Sequence, residues 1–336
     1  MRENLNFPAA LTPTRWRILI DRVDFARQDP FHEAMNMHSG RLSHLGLLRF
    51  SGSDGGTFLQ GQISNDTRRL AAGEPLLAAY SNPQGRVIAI LYLVPHSTGI
   101  LAIVPRELIA PTLARMRKFV LRAKVQIDDA TDSMALAGHH GLDSIARAGL
   151  PISDLATGYR EVDGIGIARQ SADPGRFWVL GAAAALEARG LAGNPLDAPA
   201  IEHDWRLADI RAGVPQIYTP TSELFVAQML NLDLIDGISF SKGCYTGQEI
   251  IARTQNLGRI KRRLARLRLP GSAWSIGESV RLRDGRAGRL TELARVGEDC
   301  EALAVVNLDK AEGEEVVNEN LVGAELPLPY PVSVPA

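Results

Sequence analysis

Between Lys242 and Glu249 the chain reads K-G-C-Y-T-G-Q-E, a stretch that leaves the backbone few options. Gly243 and Gly247 allow a turn and a close approach to whatever lies against it. The preceding G-I-S-F-S (Gly237 to Ser241) alternates small and apolar residues as a strand does, and the following Q-E-I-I-A-R (Gln248 to Arg253) can begin a helix. The spacing predicts a strand-to-helix turn with Lys242 and Cys244 two apart on one extended face. There, an ammonium and a helix N-terminus both favour thiolate over thiol; such settings bring cysteines from about 8.5 into the range of roughly 3.5–7.5. The same residues admit a plainer reading. A lone cysteine is commonly a small buried apolar side chain, glycines at a strand end serve the turn, and Glu249 with Arg253 forms a surface pair worth about 0.2–0.5 kcal/mol.

Bulk properties narrow the rest. A chain of 336 residues, 45% hydrophobic and 22% charged, suits two or three domains with substantial cores. Its 37 basic and 38 acidic residues nearly cancel, so a polyanion has to be met by a local patch. Cys244 and Cys300 form no C-x-x-C, which argues against a disulfide framework and against a thiolate-bound zinc or iron–sulfur cluster. That usage fits a reducing compartment. The opening M-R-E-N-L-N-F-P lacks the charged-then-apolar run of a signal peptide, and the apolar stretch around Val87 to Val94 is too short to span a bilayer. A cytoplasmic protein with no membrane partner is expected.

Along the chain, a helix is predicted over Pro30 to Met37 and a strand from near Leu42. Asp54 is placed to cap a short helix from Thr57 to Gln62, presenting Gln60 and Asn65 near a loop. Pro75 to Tyr80 and Gly85 to Val94 read as strands joined by the hairpin signal S-N-P-Q-G. Ile100 to Val104 adds a strand and Arg106 to Val120 a helix, with Pro105 and Pro111 bracketing its start. From residue 127 to about 203 short strands (Met134 to Gly138, Ile165 to Gln170, Arg176 to Leu180) alternate with an alanine-rich helix near Ala182 to Arg189. G-N-P-L-D-A-P (Gly193 to Pro199) reads as a linker before a helix from Ile201 to Gly213. After Lys261 a strand and turn signals at Pro270-Gly271, Asp284-Gly285 and Val296-Gly297 suggest a small antiparallel barrel.

Other chemistry is sparse. Arg253, Arg259, Lys261, Arg262, Arg263, Arg266 and Arg268 form a run without an acid, either the solvent face of a barrel strand or a nucleic-acid patch. No aromatics interleave, so stacking on single strands is not indicated. His139-His140 has no companion ligands at metal-binding spacing, and no metal site is expected. Gly164-Ile165-Gly166 lacks the third glycine of a dinucleotide fingerprint.

The eight-residue signature resembles that of the YgfZ family, folate-binding proteins related in fold to the glycine-cleavage T-protein. F-L-Q-G-Q-I-S-N-D (Phe58 to Asp66), Y-S-N-P-Q-G-R (Tyr80 to Arg86), R-A-G-V-P (Arg211 to Pro215) and L-N-L-D-L-I-D-G-I-S-F-S (Leu230 to Ser241) look like family segments in family order. The resemblance implies an α+β fold of three domains in a ring around a central folate cavity, ending in an antiparallel β-barrel. Residues 1–45 with 127–200 would form the first domain, 46–126 with 201–257 the folate-binding second, and 258–336 the barrel. It further implies tetrahydrofolate as cofactor, with Gln60, Asn65, Arg86, Tyr245, Gln248 and Glu249 as folate contacts, and Cys244 with Lys242 as the reactive pair. The implied role is an accessory one in assembly or repair of iron–sulfur enzymes such as tRNA methylthiotransferases. Two alternatives stand beside it: a folate-dependent aminomethyltransferase-like one-carbon transferase, and a tRNA-associated protein using Arg253 to Arg268. The first is weakened because Gly85 to Ile90 holds no carboxylate where T-protein-like enzymes carry an aspartate pair, an electrostatic loss on the order of 10²–10³ in rate. Arg211 stands where such families often have glutamate, which puts a pterin contact there in doubt.

Overall fold

The computed structural model describes residues 39–150, 158–170, 173, 175–256, 260–309 and 322–332. The helix expected over Pro30 to Met37 lies outside them. The first elements are β1 Gly40–Arg41, β2 Leu45–Ser51, α1 Gly55–Gln60, α2 Arg68–Ala71, β3 Leu76–Ser81, β4 Val87–His96, β5 Gly99–Pro105 and α3 Arg106–Arg117. Next come β6 Gln126–Asp129, β7 Met134–His140, α4 Asp143–Arg147, β8 Tyr159–Val162, β9 Ile165–Arg169, β10 Arg176–Ala182 and α5 Ala183–Ala188. The last are α6 Ala198–Ala212, α7 Gln248–Asn256, β11 Arg262–Leu269, β12 Ser279–Leu282, β13 Ala287–Val296, β14 Asp299–Asn307 and β15 Val322–Leu326.

One sheet runs β3-β4-β5-β2-β6, antiparallel throughout. β3 is buried along its whole length and β4 along nearly all of it, which explains a sequence that is continuously apolar rather than alternating: both faces are covered. The S-N-P-Q-G hairpin forms, with Asn82 N donating to Arg86 O at 2.9 Å and Gly85 at φ +70°. Asp54 stands at the start of α1 but makes no side-chain cap; its carboxylate accepts from Lys124 N at 2.7 Å instead and ties down the loop before β6. Pro111 lies inside α3, not at its start.

A second sheet runs β1-β7-β10-β9-β8. Strand alternation sends Phe177 and Val179 into a core with Ile145, Ile165, Ile167 and Leu186. Trp178, on the opposite face, meets Tyr92 of β4 at 5.6 Å and Trp205 of α6 at 4.4 Å between ring centres. Helix α6 begins at Ala198, so it takes in the end of the stretch read as a linker; a proline in the first turn costs no hydrogen bond. It stops where expected. Gly213 adopts φ +66°, and its N–H and that of Val214 close the last turn onto Ile210 O and Asp209 O.

The C-terminal strands form a closed ring, β11-β14-β13-β12-β15, around Leu267, Leu269, Trp274, Leu290, Ala302 and Val306. Cys300 is buried in that core, and burial pushes its thiol up. Two expectations need correction. The ring is not wholly antiparallel, because β12 and β15 pair in parallel. Pro270-Gly271 starts no hairpin either: β11 pairs with β14 and β15, and the chain loops on to β12.

Candidate functional site

The segment Gly237 to Ser241, predicted as a strand, is irregular. Its small residues offer little to pack, and Ser64 takes the backbone groups a neighbouring strand would have bonded. Ser64 Oγ donates to Gly237 O at 2.6 Å, and Ser239 N donates to Ser64 O at 2.9 Å. The chain then bends at Ser241 and Lys242, which separates the two residues expected on one face: Lys242 is 5% exposed, whereas Cys244 lies at the surface.

Lys242 Nζ donates to the carbonyls of Gln60 and Ile63 at 2.7 Å and of Asn65 at 2.9 Å. An ammonium has three protons, and all three are used. The Gln60 carbonyl ends α1, where a cation complements the helix dipole. The ammonium also lies 4.8 Å from the centre of the Tyr245 ring, and burial brings its pKa down to about 8. The hydrogen bonds of Lys242, expected to hold a Cys244 thiolate, go instead to the loop after α1.

The signature turn is nonetheless built against the other marked segments. Gly247 sits at φ +82°, and a Cβ there would lie 2.7 Å from Asn82 O and 3.0 Å from Gly85 Cα. A Cβ on Gly85 would come within 2.9 Å of Ile250 Cβ. The two glycines thus let the β3–β4 turn and the 242–249 turn interlock, while Lys242 fastens the latter to residues 60–65.

Of the expected folate contacts, two are internal braces. Gln60 Oε1 accepts from Thr67 N and Oγ1, and its Nε2 donates to Asp66 at 3.2 Å. Asn65, 1% exposed, donates to Leu77 O and Asp236 O and accepts from Asp66 N. Arg86 is exposed and donates to Leu224 O at 2.6 Å. Tyr245 is buried, which pushes its hydroxyl up to about 12. Gln248 is half-buried; Glu249 is exposed.

A cleft lies elsewhere, lined by residues that the sequence did not single out as ligand contacts. It is a narrow crevice, about 450 Å³ of non-atom space when counted out into the open solvent at its mouth. Leu77, Ile90, Tyr92 and Ile103 of the first sheet line it, with Trp178 of the second, Val214 and Pro215 after α6, and Glu292 of the ring. His44, Gln170, Asp209 and Tyr218 supply further polar groups, and none of the six expected folate contacts, nor Cys244 or Lys242, is in the lining.

The polar wall is a buried network. Arg176, 1% exposed, donates to Asp209 and to Asp173 at 2.8 Å each and lies 4.7 Å over Trp205. Gln170 Nε2 donates to Asp209 at 2.9 Å. Arg206 donates to the Tyr218 hydroxyl, which donates to Glu292 Oε1. Burial pushes the Asp209 carboxyl up against the opposing pull of Arg176. Burial, with Asp209 nearby, pushes Glu292 up to about 8. Among the described residues, Glu292 Oε2, Gln170 Oε1, Trp178 Nε1 and His44 Nδ1 have no hydrogen-bond partner. Four such atoms in the residues of one cleft suit a ligand that is polar at its edge, since a buried unpaired group is costly. The sequence offered little signal for them: Asp209 and Tyr218 flank R-A-G-V-P, but nothing around Glu292 marks it as buried.

Arg211 turns away from a ligand role and pairs with Glu301 at 2.8 Å. The basic run does not form one face. Arg263 is buried in a two-bond pair with Asp233, Arg266 is buried on Glu301, and Arg268 pairs with Asp299. Arg259 lies outside the described residues. Among these residues no group of three or more His, Cys, Asp or Glu could hold a metal ion, and no helix is long and apolar enough to cross a membrane.

No family model matches the chain. It is 32% identical over 226 residues to the tRNA-modifying protein YgfZ of Colwellia psychrerythraea, covering 66% of this chain and 69% of that one. Against the protein of the same name from Cronobacter sakazakii it is 32% identical over 284 residues, covering 82% and 83%. The fold is similar to that of the glycine cleavage system aminomethyltransferase T from Bartonella henselae, with TM-score 0.57 over 82% of this chain and 80% of that one at 16% identity. The mixed α/β architecture is thus T-protein-like.

Proposed function

Since the chain belongs to the YgfZ family, we propose that it serves tRNA modification, as its relatives are named for, by binding tetrahydrofolate. In this reading it supports the assembly or repair of iron–sulfur enzymes such as tRNA methylthiotransferases, and Cys244 is its reactive thiol. The reading keeps three domains, 1–45 with 127–200, 46–126 with 201–257, and 258–336, and the cleft draws described residues from each range: His44 and Trp178, Tyr92 and Asp209, and Glu292. The observation that carries the folate part is the cleft's chemistry, aromatic and aliphatic walls beside unpartnered buried polar atoms. A pterin is flat and apolar on its faces and polar along its edges, so the residues present fit it. Trp178 and Tyr92 would lie against the ring, Gln170 and Glu292 would meet its edge, and the bound folate would supply a nitrogen able to carry one-carbon groups. β4 presents Ile90 and Tyr92 to the cleft and no carboxylate, which speaks against aminomethyl transfer of the T-protein type.

Cys244 is exposed on a turn held rigid from beneath by Lys242 and Gly247, a placement that lets a partner reach the sulfur. Two measurements test the reading. Tetrahydrofolate should raise the melting temperature of the purified protein, because a ligand bound only by the native state stabilises it; no shift at saturating concentration would remove the folate claim. In cells lacking the chain, Cys244→Ser should leave protein levels normal yet fail to restore methylthiolated tRNA nucleosides. Full restoration would make the thiol dispensable.

A further inference from the structure

Glu292 is 1% exposed on β13, and its two oxygens stand in different surroundings. Oε1 accepts from the Tyr218 hydroxyl at 2.7 Å. That hydroxyl is already taken as an acceptor by Arg206 Nη1 at 3.0 Å, so its own proton is directed to Glu292. Among the described residues Oε2 has no partner, and Glu292 is the ring's contribution to the cleft wall.

Burial and Asp209 outweigh the two arginines nearby, which favour a carboxylate. Arg176 of β10 is shared between Asp173 and Asp209. Arg206 of α6 donates to Tyr218 and lies 5.0 Å over its ring. Asp209, also on α6, repels a second negative charge, and His44 before β2 is kept neutral by burial, its pKa brought down to about 3. With Oε1 accepting, a proton on this carboxyl belongs on Oε2.

We propose that Glu292 is the specificity-determining residue of the cleft, acting as a neutral acid whose Oε2–H donates to an acceptor nitrogen or carbonyl oxygen on the edge of the bound heterocycle. Gln170 Oε1 is the matching acceptor for a ring N–H. The cleft accordingly selects an uncharged edge bearing both donor and acceptor over a cationic ring, which an ionised carboxylate would prefer. The ligand's identity rests on the folate reading above; the protonated Oε2 does not.

Two experiments on the full-length protein separate these. In ligand-free infrared difference spectra at neutral pH, wild type minus Glu292→Gln should show a protonated-carboxyl stretch that disappears as pH is raised past about 8. Its absence overturns the proposal whatever the ligand. Calorimetric titration with 5-formyltetrahydrofolate, a stable probe, should then give wild-type affinity that weakens about tenfold per pH unit once the acid ionises. Glu292→Gln, whose amide still donates, should bind within about threefold of wild type at neutral pH and lose that pH dependence. Glu292→Met should bind at least about tenfold more weakly, for want of one buried hydrogen bond, with its melting temperature checked to show that it folds. Binding by Glu292→Met equal to wild type, or wild-type binding that tightens as pH rises, overturns the proposal. No binding by wild type at any pH, with the infrared band present, overturns the folate reading alone.

Discussion

Lys242 illustrates how one side chain can organise a turn. Three carbonyls from residues 60, 63 and 65 converge on its ammonium, and a hydrocarbon at that position would leave all three without a donor. Lys242→Met should lower unfolding stability by about 2–4 kcal/mol in denaturant titration, each orphaned buried group costing of order 1–3 kcal/mol before relaxation. A change below about 0.5 kcal/mol would mean that water replaces the ammonium readily. The residue types in this turn were legible from the chain alone, and so was the need for glycine at Gly247. The direction of the lysine was not. Two-residue spacing implies a shared face only if the backbone is extended, and here it bends.

Among the elements, those specified by local chemistry match what periodicity predicts. The S-N-P-Q-G hairpin and the stop of α6 at Gly213 depend on residues within a turn of each other. β11 is different. Its arginines read as a solvent face, yet Arg263 and Arg266 are buried because acids distant in sequence, Asp233 and Glu301, come to meet them. Removing one partner of a buried pair strands the other: Arg263→Met should cost about 3–5 kcal/mol. Lys261→Glu, on the exposed side of the same stretch, should stay within about 0.5 kcal/mol. Thermal unfolding of the two variants side by side decides between a structural and a surface role for this strand; equal, small effects would favour the surface.

At the scale of the molecule, the cleft depends on assembly. Tyr92, Trp178 and Glu292 come from separate β-structures and meet only when these pack. Burial gives the whole a pH response. Glu292 has its pKa raised from 4.5 to about 8 by folding, so between these values the native state holds a proton that the unfolded chain has released. Stability from this group is therefore full below pH 4.5 and declines as pH rises through about 8. The melting temperature of wild type relative to Glu292→Gln should fall across that window; a constant difference would mean that the carboxyl is already ionised when folded.

What the chain determined unaided was local: glycines that permit the two interlocking turns, hairpins, the helix stop, and a signature specific enough to name a family. Hydrogen-bonding and steric rules acting over a few residues suffice for these. The fate of each polar side chain was settled by packing, because whether Lys242, Arg263 or Glu292 keeps its water depends on groups tens to hundreds of residues away. Desolvation is a property of the assembled surroundings, and no window of sequence contains it.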